Sequence, residues 1–317
     1  MPKTILVTGG AGFIGSHFIR YILRKYKDYR IINLDKLTYA GNLDNLKDIE
    51  KNSRYKFIKG DICNRNLVET IFKKEKPNFL VHFAAATHVD RSILNPKIFI
   101  KTNILGTQVL LETARRYGIE KFQHISTDEV YGSVKEGRFK EINPLLPNSP
   151  YSASKAGADF LVRSYFKTFN LPALISRSCN NFGPCQYPEK LIPLFIANLL
   201  KNRKVPLYAS GENIREWVYV EDNCRAIDLV LHKGRLGEIY NIGSNCLKTN
   251  LEVTKMLLRL LNKDETFIKY VPDRPGHDFR YCLDTSKIRK ELNWKPKYSF
   301  EKGIKKTIEF YKRKFGF

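Results

Sequence analysis

The sequence predicts an α/β protein with a doubly wound parallel sheet and a smaller C-terminal α/β domain. Three observations support this prediction. Apolar segments of strand length alternate with segments of helical periodicity through the first half of the chain. A glycine-rich turn joins the first predicted strand to the first predicted helix. After about residue 180 the alternation becomes less regular, which indicates a second domain.

The first half of the chain consists of repeated βα units. Strands are predicted at Thr4–Thr8, Arg30–Asp35, Tyr55–Lys59, 78–85, Lys121–Thr127 and 173–177. Helices are predicted at 13–26, at 96–117 and from about residue 151 onward. In the first helix, Ile14, Phe18 and Ile22 recur every four residues on one face. Apolar strands in repeated βα units indicate a parallel sheet that is covered on both faces.

The second half of the chain contains both helical and strand-like segments. Helices are predicted at 188–200, 220–232, 250–262, 285–292 and 300–311, and short strands at 205–209 and 238–242. We therefore expect one domain over residues 1–180 and another over 181–317. A segment near 218–245 is expected to return to the first domain.

The composition excludes several classes of protein. The hydrophobic fraction of 43% is that of a globular chain rather than a disordered one. The longest apolar runs are far shorter than the roughly 20 residues of a membrane span, and no secretion signal is recognisable. The six cysteines are scattered and form no CxxC or Cys/His zinc pattern. We expect a cytoplasmic protein with free thiols, no metal site and no membrane partner.

The chain is strongly basic, with a formal net charge of +23 from 55 basic and 32 acidic residues. Such a charge is compatible with nucleic-acid binding. However, the basic residues are dispersed over the predicted helices, and no dense basic run with interleaved aromatic residues occurs. We therefore expect no nucleic-acid partner, although part of the excess charge can attract an anionic substrate.

The first strand is followed by a nucleotide-binding pattern. Gly10, Gly12 and Gly15 fit GxGxxG, in which glycines permit a tight turn and close approach of a pyrophosphate to the helix N-terminus. Asp35 ends the second strand, where a carboxylate binds ribose hydroxyls and repels a 2′-phosphate, so NAD is favoured over NADP. Asp61 follows the third strand and is expected either to bind the adenine amino group or to cap a loop.

A tyrosine and a lysine lie at the start of the helix that begins near residue 151. Ser149 and Pro150 are typical of a helix N-terminus, so Tyr151 and Lys155 are i,i+4 neighbours on one face. An ammonium group near a phenol stabilises the phenolate and lowers the tyrosine pKa. Tyr151 is therefore a candidate base for a redox reaction.

Two carboxylates follow the fifth strand. Thr127, Asp128 and Glu129 lie just past its carboxyl end, where open α/β sheets carry their sites. Adjacent carboxylates in different environments can act as an acid and a base. A solvated acidic turn is the alternative, but the Tyr/Lys pair favours a catalytic role. A dehydrogenase or epimerase needs only Tyr151 and Lys155, whereas oxidation coupled to elimination of water uses all four groups.

These residues identify the chain as a member of the extended short-chain dehydrogenase/reductase superfamily, and within it the chain resembles the dTDP-glucose 4,6-dehydratases. The resemblance runs nearly end to end and is carried by segments 8–16, 35–42, 88–92, 126–132, 151–155, 180–184, 188–193, 215–222 and 273–278. It implies a Rossmann-type fold in which the first domain binds NAD and the second binds a nucleotide sugar. It also implies a homodimer formed through helices on the outer face of the sheet.

The resemblance implies a redox-neutral dehydration of dTDP-glucose to dTDP-4-keto-6-deoxyglucose. Tyr151, assisted by Lys155, takes the proton of the sugar C4 hydroxyl, and Thr127 hydrogen-bonds the C4 oxygen. NAD accepts the hydride from C4 and returns it to C6 as C5 is reprotonated. Between these steps, Glu129 removes the C5 proton and Asp128 protonates the leaving C6 hydroxyl.

The resemblance also assigns binding residues. The expected cofactor contacts are Gly9, Gly12, Phe13, Ile14, Gly15, Asp35, Asp61, Ile62, Tyr151 and Lys155. The expected substrate contacts are His88, Asn180, Glu189, Lys190, Arg215, Asn250, Arg274 and His277. The planar fork of arginine suits the diphosphate. A turn role for Asn180 and a structural role for His88 remain alternatives.

Three residues depart from the pattern of the family. Ala86 stands where glutamate is expected, Cys179 where serine is commoner, and Glu216 where aspartate is usual. None of these changes removes a proposed catalytic group, but they bear on the choice of sugar or base. The departures therefore leave open a 4,6-dehydratase of another nucleotide sugar such as UDP-glucose. Two further alternatives are a nucleotide-sugar 4-epimerase, which shares Tyr151, Lys155 and the NAD site, and a non-catalytic nucleotide- or RNA-binding protein that uses the basic surface.

Overall fold

The computed structural model describes residues 3–317. Its strands are β1 Thr4–Thr8, β2 Arg30–Asp35, β3 Tyr55–Lys59, β4 Phe79–His82, β5 Lys121–Thr127, β6 Ala173–Ser178, β7 Asn180–Phe182, β8 Val205–Tyr208, β9 Ile214–Tyr219, β10 Ile239–Ile242, β11 Leu247–Thr249 and β12 Ile268–Val271. Its α-helices are α1 Phe13–Lys25, α2 Arg65–Glu75, α3 Val89–Leu94, α4 Pro96–Phe99, α5 Gly106–Tyr117, α6 Pro150–Phe169, α7 Leu191–Leu200, α8 Val220–Lys233, α9 Asn250–Leu260, α10 Ser286–Leu292 and α11 Phe300–Phe315. Short 3₁₀ helices cover Leu43–Ile49, Asp128–Tyr131 and Glu265–Phe267, and a π-helical segment covers Ile100–Leu105.

Seven parallel strands form the main sheet, in the order β10-β6-β5-β4-β1-β2-β3. This confirms the predicted doubly wound α/β fold. The strand order reverses direction at β1, which pairs with β2 on one side and with β4 on the other. Ligands of open α/β sheets bind at such a switch point, outside the carboxyl ends of the strands.

The main sheet is covered on both faces, as its apolar strands require. Ile5 and Val7 of β1 belong to one buried cluster, whereas Leu6 between them belongs to the other. Successive side chains of a strand point to opposite faces, so a strand buried on both sides is apolar at every position. The two clusters pack the helices against the faces of the sheet. The carboxyl ends of the strands are not covered in this way and can carry a functional site.

The chain re-enters the main sheet late. Strand β10 pairs in parallel with β6, so that Ile239 is opposite Ile175, and α8 packs against α1. The segment that contains α8 and β10 therefore lies with the first half of the chain. The boundary at residue 180 stays a prediction.

A smaller α/β unit is built from the rest of the second half. Sheets β11-β9-β7 and β12-β8 share a third buried cluster with α7, α9 and α11. Ile196, Val253 and Ile304 are fully buried there, one from each helix. This unit brings β9 and the start of α7 close to the end of β5.

The structure differs from the prediction around residue 103. The predicted helix 96–117 is interrupted by the π-helical segment. Buried Asn103 in this segment bonds both backbone polar groups of Ala86, at 2.8 and 3.0 Å, and the hydroxyl of Ser154 at 2.8 Å. These bonds to distant residues account for the local widening, and such segments are often found at functional sites. Strand β4 also ends at His82 rather than at residue 85.

Helix α2 was not among the predicted helices. Asn64 caps it by accepting a hydrogen bond from the backbone N–H of Leu67. Within residues 3–317, no helix is both long and apolar enough to cross a bilayer.

Candidate active site

The glycine turn after β1 brings two backbone segments into close contact. Gly9 has a φ of +74°, and a Cβ there would lie 2.6 Å from the backbone nitrogen of Ala84. A Cβ on Gly15 would overlap the carbonyl oxygen of Gly9. Gly12 is the N-cap of α1, and no side chain of the described residues caps this helix. The unused N–H groups of the first turn, contributed by residues 13–15, therefore suit a pyrophosphate.

Asp35 links the end of β2 to the glycine turn. Its Oδ2 accepts from the backbone N–H of Ala11 at 2.9 Å and its Oδ1 from that of Leu37 at 2.8 Å. Burial raises the pKa of Asp35, and these two hydrogen bonds oppose the rise. Each carboxylate oxygen keeps a second lone pair, so ribose hydroxyls can still donate to it.

Asp61 lies beside this site with Ile62, whose side chain is buried. Asp61 accepts from the backbone N–H of Cys63 at 2.9 Å and from Nζ of Lys36 at 2.8 Å. Burial alone would raise the pKa of Asp61, but the hydrogen bonds from Lys36 and Cys63 and the charge of Lys36 together outweigh it and lower the pKa. The open helix N-terminus and the two carboxylates together fit a dinucleotide such as NAD.

Helix α6 begins where its sequence predicts. The hydroxyl of Ser149 accepts from the backbone N–H of Ser152 at 3.1 Å, in a capping box. One turn further on, Nζ of Lys155 donates to the carbonyl oxygen of Ile125 at 2.6 Å. Burial lowers the pKa of Lys155 to about 8. The lysine is thereby fixed against β5.

The pKa of Tyr151 changes in the direction opposite to the prediction. The side chain is buried, and burial, followed by the charges of Glu129 and Asp128, raises its pKa well above the ordinary value. The ammonium of Lys155 alone would lower the pKa of this phenol. In the folded chain the ammonium contacts β5, and two carboxylates act on the phenol, so the prediction of a lowered pKa is wrong for the protein alone.

The two carboxylates lie directly after β5. The hydroxyl of Thr127 donates to Oδ1 of Asp128 at 3.2 Å and accepts from the backbone N–H of Glu129 at 3.3 Å. Asp128 is 1% exposed, and its Oδ2 has no hydrogen-bond partner within residues 3–317. Burial, with the charges of Glu129 and Glu216, raises the pKa of Asp128 well above the ordinary value.

Glu129 is half-buried in a different electrostatic environment. Burial raises its pKa, but the positive charges of Lys190, Arg274 and Arg215 oppose this rise. Adjacent carboxyl groups that differ in this way can act as a proton donor and a proton acceptor. The arrangement therefore suits acid–base chemistry with Asp128 as acid and Glu129 as base.

Three predicted cations surround the carboxylates. Arg215 is buried, donates to the carbonyl oxygens of Ile214 and Asp278 at 2.8 Å each, and lies over the ring of Tyr281 at 4.4 Å. Arg274 has its Nε buried without a partner among the described residues. Burial lowers the pKa of Lys190, and Glu129 opposes this change. Such a group of one buried and two half-buried cations suits an anionic ligand.

The two predicted histidines lie at the edge of this group. His88 has a φ of +84° at the N-cap of α3, and its Nε2 is 3.4 Å from the carbonyl oxygen of Glu189. His277 contacts Oδ1 of Asp273 at 2.6 Å. Burial lowers the pKa of both imidazoles, so they are neutral at physiological pH.

The remaining predicted contacts are less closely tied to the carboxylates. The carboxylate of Glu189 accepts from Nε of Arg91 at 3.0 Å. Asn180 lies in β7 opposite Trp217 of β9. Asn250 is buried at the start of α9 and donates its backbone N–H to Asn213 at 3.0 Å. The contacts of these residues with substrate stay predictions.

The sequence analysis missed several residues that the fold brings to this site. Asp90 contacts Arg274 at 3.3 Å and accepts from the hydroxyl of Tyr208 at 3.4 Å. Asp278 accepts from the hydroxyl of Tyr281 at 2.5 Å. Asp90 and Asp278 lie inside quoted family segments and could have been singled out there. The two tyrosines lie outside them and carried no signal.

The three departures from the family pattern have structural roles. Ala86 is bonded through its backbone to Asn103. Glu216 is fully buried, and its two oxygens accept from the backbone N–H groups of Asn245 at 2.7 Å and Leu283 at 2.9 Å. Cys179 is buried, and burial with the charges of Glu216 and Asp128 raises the pKa of its thiol. Glu216 thus connects β9 to the backbone at Asn245 and Leu283. It also contributes a negative charge that acts on Asp128.

The parallel sheet, the glycine turn and the Tyr151–Lys155 pair define a Rossmann-type enzyme of the short-chain dehydrogenase/reductase kind. A family model described as GDP-mannose 4,6 dehydratase matches residues 6–307. The chain belongs to this family, which confirms the resemblance to nucleotide-sugar dehydratases that its motifs indicated.

Individual relatives are similar over nearly their whole length. The chain is 50% identical to the low-salt glycan biosynthesis protein Agl12 of Haloferax volcanii, covering 97% of this chain and 98% of that protein. It is 49% identical to a dTDP-glucose 4,6-dehydratase of Streptomyces niveus, covering 97% and 92%. The solved structure of DesIV, a dTDP-glucose 4,6-dehydratase from Streptomyces venezuelae with NAD bound, has a TM-score of 0.96 and 48% identity, covering 99% and 98%.

Proposed function

We propose that this protein is a hydro-lyase that converts dTDP-glucose to dTDP-4-keto-6-deoxyglucose with bound NAD. The observation that carries the proposal is the pair of carboxyl groups beside Tyr151. Asp128 is buried with a free Oδ2 and a strongly raised pKa, whereas Glu129 faces three cations. Relatives named as dTDP-glucose 4,6-dehydratases, at 49% and 48% identity, support the choice of reaction and substrate.

The cofactor is held by the first domain. The N–H groups of residues 13–15 at the start of α1 bind the pyrophosphate, with Gly9 and Gly12 allowing its approach. Asp35 binds the ribose hydroxyls next to this turn, and Asp61 with Ile62 borders the adenine. Bound NAD would supply a hydride acceptor for the sugar C4 and a hydride donor for C6, and C5 takes up a proton from solvent exchange when C6 gains the hydride.

The first step removes two hydrogens from C4 of glucose. Tyr151 takes the proton of the C4 hydroxyl, and the hydroxyl of Thr127 holds the C4 oxygen in place. Lys155, one turn further along α6, stabilises the phenolate form of Tyr151 that accepts this proton. The product of this step is a 4-ketone, which acidifies the hydrogen on C5.

The second step eliminates water across C5 and C6. Glu129 removes the C5 proton as an ionised carboxylate, and Lys190, Arg215 and Arg274 favour this ionised form. Asp128 donates its proton to the C6 hydroxyl, which leaves as water. The raised pKa of Asp128 favours the protonated form that this donation requires.

The cations around Glu129 have a second role. Arg215 and Arg274 bind the diphosphate of the substrate, because a guanidinium matches two phosphate oxygens at once. Lys190 adds a third positive charge. His88, Asn180, Glu189, Asn250 and His277 complete the substrate site.

The main alternative is the same reaction on another nucleotide sugar, such as UDP-glucose. It is favoured only by Ala86, Cys179 and Glu216, which depart from the family pattern. A 4-epimerase would use Tyr151 and Lys155 but would have no use for a buried, protonated Asp128.

Mass spectrometry of the products tests the reaction and the substrate together. Purified protein is incubated with dTDP-, UDP-, CDP- and GDP-hexoses, and each product is examined for loss of water. We expect loss of water from dTDP-glucose and, in heavy water, one deuterium at C5. An isomer of unchanged mass from UDP-glucose would identify an epimerase instead, and water loss from a different nucleotide sugar would correct the substrate.

We further propose a homodimer and a cytoplasmic location. The helices α5 and α6 pack together, and this region of the surface exposes Leu94, Ile98, Leu105 and Phe160. A second copy would cover this apolar surface. All six cysteines are free thiols, which supports a reducing compartment.

Light scattering on a sizing column tests the dimer. Phe160→Glu is expected to give a monomer, because it places a charge in the proposed interface. Ile142→Glu is the matched control, since Ile142 is also exposed but lies outside these helices. A monomeric wild-type protein would refute the proposal.

A further inference from the structure

Behind Tyr151 and Lys155 lies a buried chain of polar side chains that the proposed chemistry does not use. Nζ of Lys155 is 3.3 Å from Nε2 of His124, and the same nitrogen of His124 is 3.5 Å from Oδ1 of Asp159. His124 is 0% exposed, Asp159 2% and Lys155 4%. Polar groups buried this completely are costly unless they are paired, so the arrangement calls for an explanation.

The fold explains why the three groups meet. Asp159 follows Lys155 by one turn of α6, so both side chains lie on the face that packs against the sheet. His124 comes from β5, and its ring lies between them. Burial, together with the positive charge of Lys155, lowers the pKa of His124 well below its ordinary value, so the ring is neutral.

A neutral imidazole has one nitrogen that accepts and one that donates. An ammonium on Lys155 can donate only to an accepting Nε2, which places the ring proton on Nδ1. The Nδ1 atom of His124 is buried and has no partner among residues 3–317, and the same is true of Oδ1 of Asp159. Both unpartnered atoms therefore belong to the group that surrounds the lysine.

Asp159 is the negative charge of this group. Its Oδ2 accepts from Nε of Arg177 on β6 at 2.9 Å. His82 on β4 also faces the group, at 5.2 Å between its ring and that of His124, and burial lowers its pKa, so it is neutral too. Asp159 thus opposes the effect of burial on Lys155, which by itself favours the uncharged amine.

The group continues to the catalytic turn. Arg177 donates to the hydroxyl of Tyr131 at 2.8 Å and lies over its ring at 4.7 Å. Tyr131 ends the 3₁₀ turn that begins with Asp128. One buried network therefore contacts both the lysine and the turn that bears the carboxylates.

We propose that His124 and Asp159 are positioning residues for Lys155. His124 directs the amine, and Asp159 supplies the negative charge that keeps it an ammonium. The proposal rests on the proposed function only in assigning Lys155 to the reaction.

Carbon-13 NMR of protein labelled at the lysine ε-carbon tests the proposal without substrate. The wild-type protein should contain a lysine that titrates at about 8, and its signal is assigned by its loss in Lys155→Met. Asp159→Asn should lower this titration midpoint by about one pH unit, because an adjacent negative charge is lost. Asp228→Asn is the control, since it removes another buried carboxyl group, which pairs with Lys25 of α1 instead of the Lys155 group, and should leave the midpoint unchanged.

A second pair of variants covers the case in which Asp159→Asn does not fold. His124→Gln keeps a side-chain acceptor, whereas His124→Leu removes it. In a single turnover with dTDP-glucose, the Leu variant should reduce bound NAD about tenfold more slowly at unchanged KM, and the Gln variant should retain most of the rate. The alkaline loss of this rate should also move to lower pH in His124→Leu.

The outcomes separate the two proposals. An unchanged lysine midpoint in folded Asp159→Asn, or equal rates in the two His124 variants, would overturn the positioning role. Failure to dehydrate dTDP-glucose would overturn the proposed function and leave the NMR titration interpretable.

Discussion

The hydroxyl of Thr127 donates to Oδ1 of Asp128 at 3.2 Å, while Oδ2 of the same buried carboxyl group has no partner within residues 3–317. One oxygen therefore orients the side chain, and the other is available to carry a proton. Because burial raises the pKa of Asp128, this carboxyl group keeps its proton to a higher pH than an exposed aspartate does. This geometry suits the proposed role of Asp128 as a general acid.

Replacing the acid should separate the two halves of the reaction. Asp128→Asn keeps the shape of the side chain but cannot supply a proton, so elimination should slow by about 10²- to 10⁴-fold while oxidation at C4 slows much less. Reduction of bound NAD reports oxidation, and mass spectrometry reports water loss. Glu129→Gln should give the same pattern, and full dehydration rates in both variants would refute the assigned roles.

Removing the phenol hydroxyl of Tyr151 should abolish both the oxidation at C4 and the elimination of water. Tyr151→Phe leaves the ring in place but no group to take the C4 proton, so neither reduced NAD nor a dehydrated product should form. Bound NAD, measured by chromatography after denaturation, should remain. Substantial water loss by this variant would show that elimination does not require oxidation by Tyr151.

The acid limb of the pH–rate profile should depend on Lys190. Glu129 acts only when ionised, so activity falls as the pH decreases through its pKa. Lys190 opposes the rise of that pKa, and Lys190→Met should therefore raise the pKa and move the acid limb to higher pH. Lys51→Met removes an exposed lysine and is the control. A limb that moves equally in both variants would indicate only a change in net charge.

The sheet and the nucleotide turn could be predicted because local pattern determines them. Apolar strand segments and a glycine-rich turn predict the same local structure whatever the later parts of the chain contact. The π-helical segment could not be predicted, because it depends on bonds from Asn103 to Ala86 and Ser154. The raised pKa of Tyr151 could not be predicted either, because it depends on burial and on two carboxylates that the fold places beside it.

Alanine variants of Gly9 and Gly118 should show whether NAD binding depends on close backbone packing or on backbone strain. Gly9 and Gly118 both have a φ near +75°, but only at Gly9 would a Cβ collide, with Ala84, whereas nothing lies within 4 Å at Gly118. Both alanine variants should lose about 1 to 3 kcal/mol of stability from strain. Only Gly9→Ala should also lose bound NAD. Equal NAD content in the two purified variants would show that close approach to Ala84 is not required for the cofactor site.

The packing of α8 against α1 should give an acid-sensitive contribution to stability. Asp228 is buried, and its oxygens contact Lys25 at 2.5 Å, Tyr26 at 3.0 Å and His232 at 3.0 Å. Burial alone would raise the pKa of Asp228, but Lys25 and His232 outweigh it and lower the pKa below its ordinary value. A carboxyl group with a lowered pKa stabilises the fold above its unfolded pKa and loses this effect as the pH falls through its folded value. Asp228→Asn should therefore cost about 2 kcal/mol at pH 7 in urea unfolding. The difference from wild type should shrink steadily below about pH 4, and a difference that stayed constant into strong acid would mean that the charge of Asp228 contributes nothing.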